Sequence, residues 1–150
     1  MVQTRRKRGD LNQNDIAYMA GLFDGEGCIQ YKQYVVTKKK HKGPGRRKTK
    51  EWKIVLEMAM TDESVIRWVH EVLGVGTVNI RDKTKPPHGK PHYKKQWRWR
   101  CSHREALYVA KLLWPHAQTK LHKLEQIIDH YDTEDEARPS ADIIYLRNRK

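Results

Sequence analysis

Residues 18–27 read YMAGLFDGEG, and the chain sets two carboxylates, Asp24 and Glu26, between glycines where a helical pattern gives way to an alternating one. The C-terminal end of a helix carries partial negative charge, so Lys or Arg would stabilise it and acids would not. Both acids are therefore poorly placed for stability unless a cation joins them. Upstream, Ile16, Ala20 and Phe23 recur at helical spacing beside Met19 and Leu22, with Asn14 or Asp15 available as N-cap. This predicts a helix over 15–24. On another face Ala17, Gly21 and Asp24 follow at i, i+4 and i+7. Glycine inside a helix costs about 1 kcal/mol relative to alanine, so small residues at this spacing point to close approach of another backbone. A helix–helix contact or a subunit interface would supply it.

Downstream, CIQYKQYVV alternates and is rich in β-formers, predicting a strand over 28–37. TKKKHKGPGRRKTK follows as a loop, and EWKIVLEMAM (51–60) as a second strand. The pair makes a long hairpin whose basic tip, with Arg46, Arg47 and Lys48, projects from the core. Residues 61–74 carry an apolar stripe of Val65, Trp68, Val69 and Val72, opened by a capping-box-like Thr61 and Ser64 and closed at Gly74. Strands over 75–84 and 93–101 flank the rigid loop KPPHGKPH, and helices over 104–116 and 121–131 are parted near Pro115. The order α-β-β-α-β-β-α-α predicts an α+β fold, a four-stranded antiparallel sheet covered by helices on one face. One domain over 14–131 lies between a basic flexible arm (1–13) and a C-terminal tail (132–150).

Thirty-one Lys and Arg against 18 Asp and Glu leave a formal charge of +13. So large a charge speaks to partners, not to fold, and nucleic acid leads, because each Lys or Arg docked on a phosphate releases condensed counterions. No long apolar run or signal peptide is present, which argues against a membrane and for an intracellular protein with access to DNA. Cys28 and Cys101 form no CxxC pair and are expected to be buried structural thiols. His88 and His92 lie four apart, but Pro and Gly around them exclude the helix that would join them on a metal.

Alternation along the strands sorts two faces. Trp97, Trp99, Val78, Ile80 and Ile29 belong to a core side. Gln30, Lys32 and Tyr34, then Lys53 and Glu57, then Asn79, Arg81 and Lys83, then Gln96, Arg98 and Arg100 belong to the other. Arg and Lys can read guanine in a major groove, and Asn and Gln adenine, while the loop lysines would hold phosphates. This face is expected to bind DNA or RNA.

MAGLFDGEG (19–27) resembles the signature of the LAGLIDADG homing endonucleases, and the element order, LGVGTV (73–78) and WPHAQTK (114–120) resemble that family too. The single copy resembles the homodimeric branch. The resemblance implies that the signature helices of two subunits pack through Ala17, Ala20 and Gly21, with Asp24 capping or hydrogen-bonding within that interface. It implies that Glu26, where many relatives have Asp, is the catalytic acid that holds a divalent metal, with the Gly25 carbonyl as a second ligand. Mg²⁺ is the implied ion, Mn²⁺ an alternative, and Ca²⁺ a support for binding without cleavage. Lys120 falls where the family has a basic residue near the reacting phosphate, and Asp62 or Thr61 where a further polar residue follows the second strand. Implied in sum is an intron-encoded, homodimeric, sequence-specific double-strand DNA endonuclease acting on a long near-palindromic site. An intron RNA maturase or a non-cleaving regulator is the alternative within the family.

Overall fold

The computed structural model describes residues 11–137; the basic run Arg5–Arg8 and most of the tail lie outside them. Helix α1 spans Gln13–Glu26, strand β1 Gly27–Lys39, β2 Arg46–Met60, helix α2 Glu63–Leu73, β3 Thr77–Arg81, β4 Gln96–Ser102, α3 Arg104–Leu113 and α4 Leu121–Ala137. The strands form one antiparallel sheet in the order β1-β2-β4-β3. This is the α+β arrangement that the element order implied.

Apolar side chains of one sheet face and of the helices meet in a single core. Ile29, Ile54, Leu56, Met58, Trp99 and Cys101 contribute from the strands. Phe23, Ile66, Val69, Leu107, Leu113, Leu124 and Ile127 contribute from the helices. Trp99 lies at 0% exposure, and its indole N–H donates to the Val75 carbonyl at 3.0 Å. The ring thus fills the core without stranding its polar atom.

Several boundaries differ from the sequence reading, each for a local reason. α1 begins earlier, because Asn12 is the N-cap and accepts from the Asn14 backbone N–H at 2.8 Å. It also runs on to Glu26, placing both acids in its last turn. Residues 37–39 and 46–50 were expected in a loop but are strand, since Lys39 pairs with Arg46 and Val35 with Lys50. Only Lys40–Gly45 turns, with Gly43 and Gly45 at positive φ. Arg46, Arg47 and Lys48 therefore open β2. β3 stops at Arg81, so Lys83 is a loop residue whose carbonyl accepts from the Lys90 N–H. α2 is capped by Asp62, not by Thr61 or Ser64, and ends on Gly74 in the left-handed conformation (φ 67°). α4 continues to Ala137, so the first part of the expected tail is helix.

Gly27 is required for space, not for backbone freedom. Its φ of −78° suits any residue, but a Cβ there would lie 2.4 Å from the Phe23 ring. The opposite holds at His103, which joins β4 to α3 with φ 52° and ψ −122°, a conformation that favours glycine. Its N–H donates to the Ile54 carbonyl at 2.9 Å, fixing the turn against the sheet. Relief of this strain in His103→Gly should stabilise the fold by about 1 kcal/mol and raise Tm by roughly 3 °C. Thermal unfolding followed by circular dichroism tests this; a lowered Tm would show that the imidazole makes a contact worth more than the strain.

Candidate functional site

The acids that opened the sequence question have different fates. Asp24 turns onto the segment that leads into α4. One carboxylate oxygen accepts from the Gln118 N–H at 2.7 Å and the other from the Lys120 N–H at 3.1 Å. Its backbone carbonyl accepts from the Thr119 hydroxyl at 3.1 Å and from the Lys120 ammonium. Lys120 accepts the first intrahelical bond of α4, from Leu124 N–H at 3.1 Å, but an ammonium cannot cap the amides beside it. Asp24, on another helix, instead takes the N–H groups of Gln118 and Lys120 just ahead of the first turn. An acid that is misplaced at the C-terminus of α1 is well placed at the N-terminus of α4. Partial burial alone would raise the Asp24 pKa; the backbone hydrogen bonds from Gln118 and Lys120 and the Thr119 hydroxyl outweigh it and hold the carboxyl below its ordinary value.

Glu26 has no such partner. It is exposed at the end of α1, and among the described residues its carboxylate meets no hydrogen-bond donor and no cation. Lys120, from the segment before α4, sets its ammonium on the carbonyl of Asp24, two residues before Glu26, and 6.0 Å from the Phe23 ring centroid. The structure thus gathers Glu26, Gly25 and Lys120 at the base of α1. Asp62 is committed elsewhere: it accepts from the Ser64 hydroxyl at 2.6 Å and the Val65 N–H at 3.3 Å, and these bonds, in that order, lower its pKa. Its role in the geometry is to start α2.

The described residues contain no group of three or more His, Cys, Asp or Glu able to enclose a metal ion. A hard cation such as Mg²⁺ does not need one, since it keeps several waters and binds through one or two carboxylates plus phosphate oxygens. An exposed, unpartnered Glu26 with the Gly25 carbonyl beside it is a donor set of that kind.

The face-bearing residues fall together as the alternation required. Lys32 pairs with Lys53, Glu57 with Arg100, Asn79 with Arg98, and Arg81 with Gln96, while Gln30 and Tyr34 stand opposite Val55 and Glu51. None of the predicted face residues is buried. Arg98 lies 3.9 Å from Glu57, and its Nε is buried without a partner among the described residues. Like charges stand directly opposite one another at Lys32–Lys53, Lys38–Arg47 and Lys39–Arg46, an arrangement that destabilises a ribbon. Glu51 offsets part of it by accepting from Lys38 and, at 3.4 Å, from the Tyr34 hydroxyl.

Two expectations need correction. Ala20 is 1% exposed within its own core, behind α1, and cannot face a second subunit. Ala17, Gly21 and Gly25 are exposed, and a Cβ built at Gly21 or Gly25 would meet nothing within 4 Å. Cys28 is not buried: it is exposed on the polar sheet face, opposite Glu57. Cys101 is buried, and desolvation, then Glu105, push its thiol up to about 12. Gln118 and Thr119, which complete the Asp24 clasp, escaped the sequence reading because their partner lies more than ninety residues away.

The lowered pKa of Asp24 fixes the direction of a pH effect. Its folded form binds fewer protons, so its contribution is present above the unfolded value near 4 and is lost as pH falls through the folded value. Asp24→Asn should cost about 1–2 kcal/mol at pH 7, and the gap to the wild type should begin to narrow below about pH 4. Urea unfolding at pH 7 and pH 3.5 measures both; a gap that is constant or that widens in acid would contradict the clasp.

A sequence model of the LAGLIDADG endonuclease family matches residues 19–109. A comparison with curated proteins found no match. Among solved structures, the homing endonuclease I-CvuI in complex with the I-CreI target superposes with a TM-score of 0.56 at 19% identity, over 78% of this chain and 65% of that one. I-CvuI with its own target, in the presence of Ca, gives 0.54 and 19%, over 83% and 73%. The I-LtrWI LAGLIDADG homing endonuclease bound to target DNA gives 0.56 and 18%, over 100% of this chain and 47% of that one. The chain thus spans about two thirds of the first of these structures and half of the last.

Proposed function

The chain belongs to the LAGLIDADG endonuclease family, and on that premise we propose that it is a homing endonuclease, acting as a homodimer that cuts both strands of a long, near-palindromic DNA site with Mg²⁺. The observation that carries the DNA reading is the sheet face with its opposed like charges. Lys32–Lys53 and Lys38–Arg47 on that face, with Lys39–Arg46 on the reverse of the ribbon end, cost the ribbon stability in isolation and gain it against a polyanion. Arg98, Arg100, Asn79, Gln30 and Gln96 on the same face have the donor and acceptor sets that distinguish base pairs in a major groove. Arg81, Lys83 and the tip residues Arg46, Arg47 and Lys48 serve phosphates. I-CvuI, of the same fold, was crystallised with DNA in the presence of Mg, where the DNA was not cleaved, and in the presence of Ca.

At the base of α1, Glu26 and the Gly25 carbonyl would hold the cation, which when bound supplies Lewis acidity at a phosphate oxygen and a water of lowered pKa. The chain's own residues do the rest. Asp24 keeps the 118–120 segment against α1, and that segment holds the Lys120 ammonium where charge builds on the phosphate. Glu57, 3.9 Å from Arg98, restrains the guanidinium and spares it from pairing with a phosphate.

The dimer reading rests on α1. Ala17, Gly21 and Gly25 leave an exposed groove of bare backbone along the helix that ends in Glu26. A second α1 lying in it would bring two Glu26 carboxylates together, one for each strand. A chain presenting a single Glu26 offers a single cut.

Glu26→Gln tests the assignment. The variant should bind a duplex selected from a randomised library, in Ca²⁺, within about threefold of the wild type, and lose cleavage in Mg²⁺ by at least a hundredfold. Fluorescence anisotropy and gel-resolved cleavage read the two quantities. Binding that falls in step with cleavage would contradict the metal role of Glu26.

A further inference from the structure

Where the β1–β2 ribbon leaves the core, it is held by a cluster that neither the signature nor the sheet face accounts for. Tyr31 and Trp52 stack on the helix-covered face, with ring centroids 4.9 Å apart at 28°. His130 of α4 meets both rings edge-on, at 5.6 Å and 4.8 Å, and its Nδ1 lies 3.2 Å from the Tyr31 hydroxyl. The helix that carries His130 is rooted in the body. Its neighbour Tyr131 is 4% exposed beneath the Arg104 guanidinium, 4.6 Å from the ring, and Leu124 and Ile127 are fully buried.

Beyond this row the described residues leave the same face of the ribbon without cover. Gln33, Val35 and Thr37 on β1 and Lys48 and Lys50 on β2 are exposed, Val35 at 59%. From Gln33 to Lys39 the ribbon extends roughly 20 Å at about 3.4 Å per residue. A lever of that length magnifies small rotations at its root. A tilt of about 10° swings the end by roughly 3–4 Å, the rise of one nucleotide along a DNA strand. Whatever fixes the angle at the root fixes which nucleotide each ribbon side chain meets.

We propose that Tyr31, Trp52 and His130 form the fulcrum of the DNA-reading ribbon, and that His130 is a positioning residue for recognition of the outer part of the site. It touches no DNA. It acts by clamping Tyr31 and Trp52, whose rows carry Lys32, Lys53 and Tyr34 on the opposite, open face. Inner recognition by Arg98 and Asn79 belongs to β4, which pairs with β2 from Val55 to Met60, and to β3, which pairs with β4, and does not depend on the clamp. The inference rests on the reading of the open face as a DNA interface.

Selection of bound duplexes from a randomised library in Ca²⁺, sequenced for the wild type, His130→Ala, Tyr31→Phe, Tyr34→Ala and Arg98→Ala, tests it. Tyr34→Ala and Arg98→Ala mark the outer and inner positions. His130→Ala should lose about tenfold in discrimination at the outer positions and none at the inner ones. Tyr31→Phe, which keeps the ring and removes only the hydroxyl, should show a smaller loss at those same outer positions even if His130→Ala unfolds. Equal loss at all positions, or none in either variant, would overturn the fulcrum. A wild type that selects no sequence would overturn the DNA reading itself, and the fulcrum with it.

Discussion

The Asp24 carboxylate, shared between the end of one helix and the start of another, is the contact on which the rest of the site depends. It takes the Gln118 and Lys120 amides, and its own carbonyl takes the Thr119 hydroxyl and the Lys120 ammonium. An acid at the wrong end of α1 meets the positive end of α4, which starts at Leu121 just after the two amides that Asp24 takes. The same four bonds set the position of the Lys120 ammonium relative to the end of α1. Glu26 is left without a partner among the described residues, at the end of α1 where β1 begins.

The ribbon shows the same tension between stability and function. Opposed lysines and arginines, the open face and the exposed Val35 are all unfavourable in an isolated hairpin. The ribbon forms because its inner half is built into the core, with Ile29, Ile54, Leu56 and Met58 buried beneath the helices. Stacked aromatic rings and the Glu51 bridge carry the order outward. Stability is concentrated at the root, and charge at the end, where a polyanion would offset the repulsion.

Much of this was legible from local pattern. Apolar positions at helical spacing marked α1 and α2, and alternation in Trp97–Cys101 separated core from open face, whereas Val55, on the open side with Lys53 and Glu57, is 3% exposed. Legibility failed where partners are distant in sequence or patterns are weak. Lys38, Lys39 and Arg46–Lys48 have poor β propensity and read as loop, yet cross-strand pairing carries them into the ribbon. The destination of Asp24 could not be read, because a clasp onto residues 118–120 leaves no mark in its neighbours in sequence. Cys28 looked like a core thiol by residue type, but its even position beside Gln30 and Lys32 puts it on the open face. That Gly27 is needed for the space of the Phe23 ring could not be read from its neighbours. Ala20 shared the small-residue signal with Ala17 and Gly21, although one helical position turns it inward.

The central claim is that a positively charged sheet delivers DNA to paired Glu26 carboxylates. Incubating the purified protein with a randomised duplex library in Mg²⁺ and, in parallel, in Ca²⁺, and sequencing the broken ends, tests it most directly. The account predicts staggered breaks in both strands at one near-palindromic sequence, in Mg²⁺ and not in Ca²⁺. Duplexes that are bound but intact in Mg²⁺, or nicked at random in either ion, would contradict it.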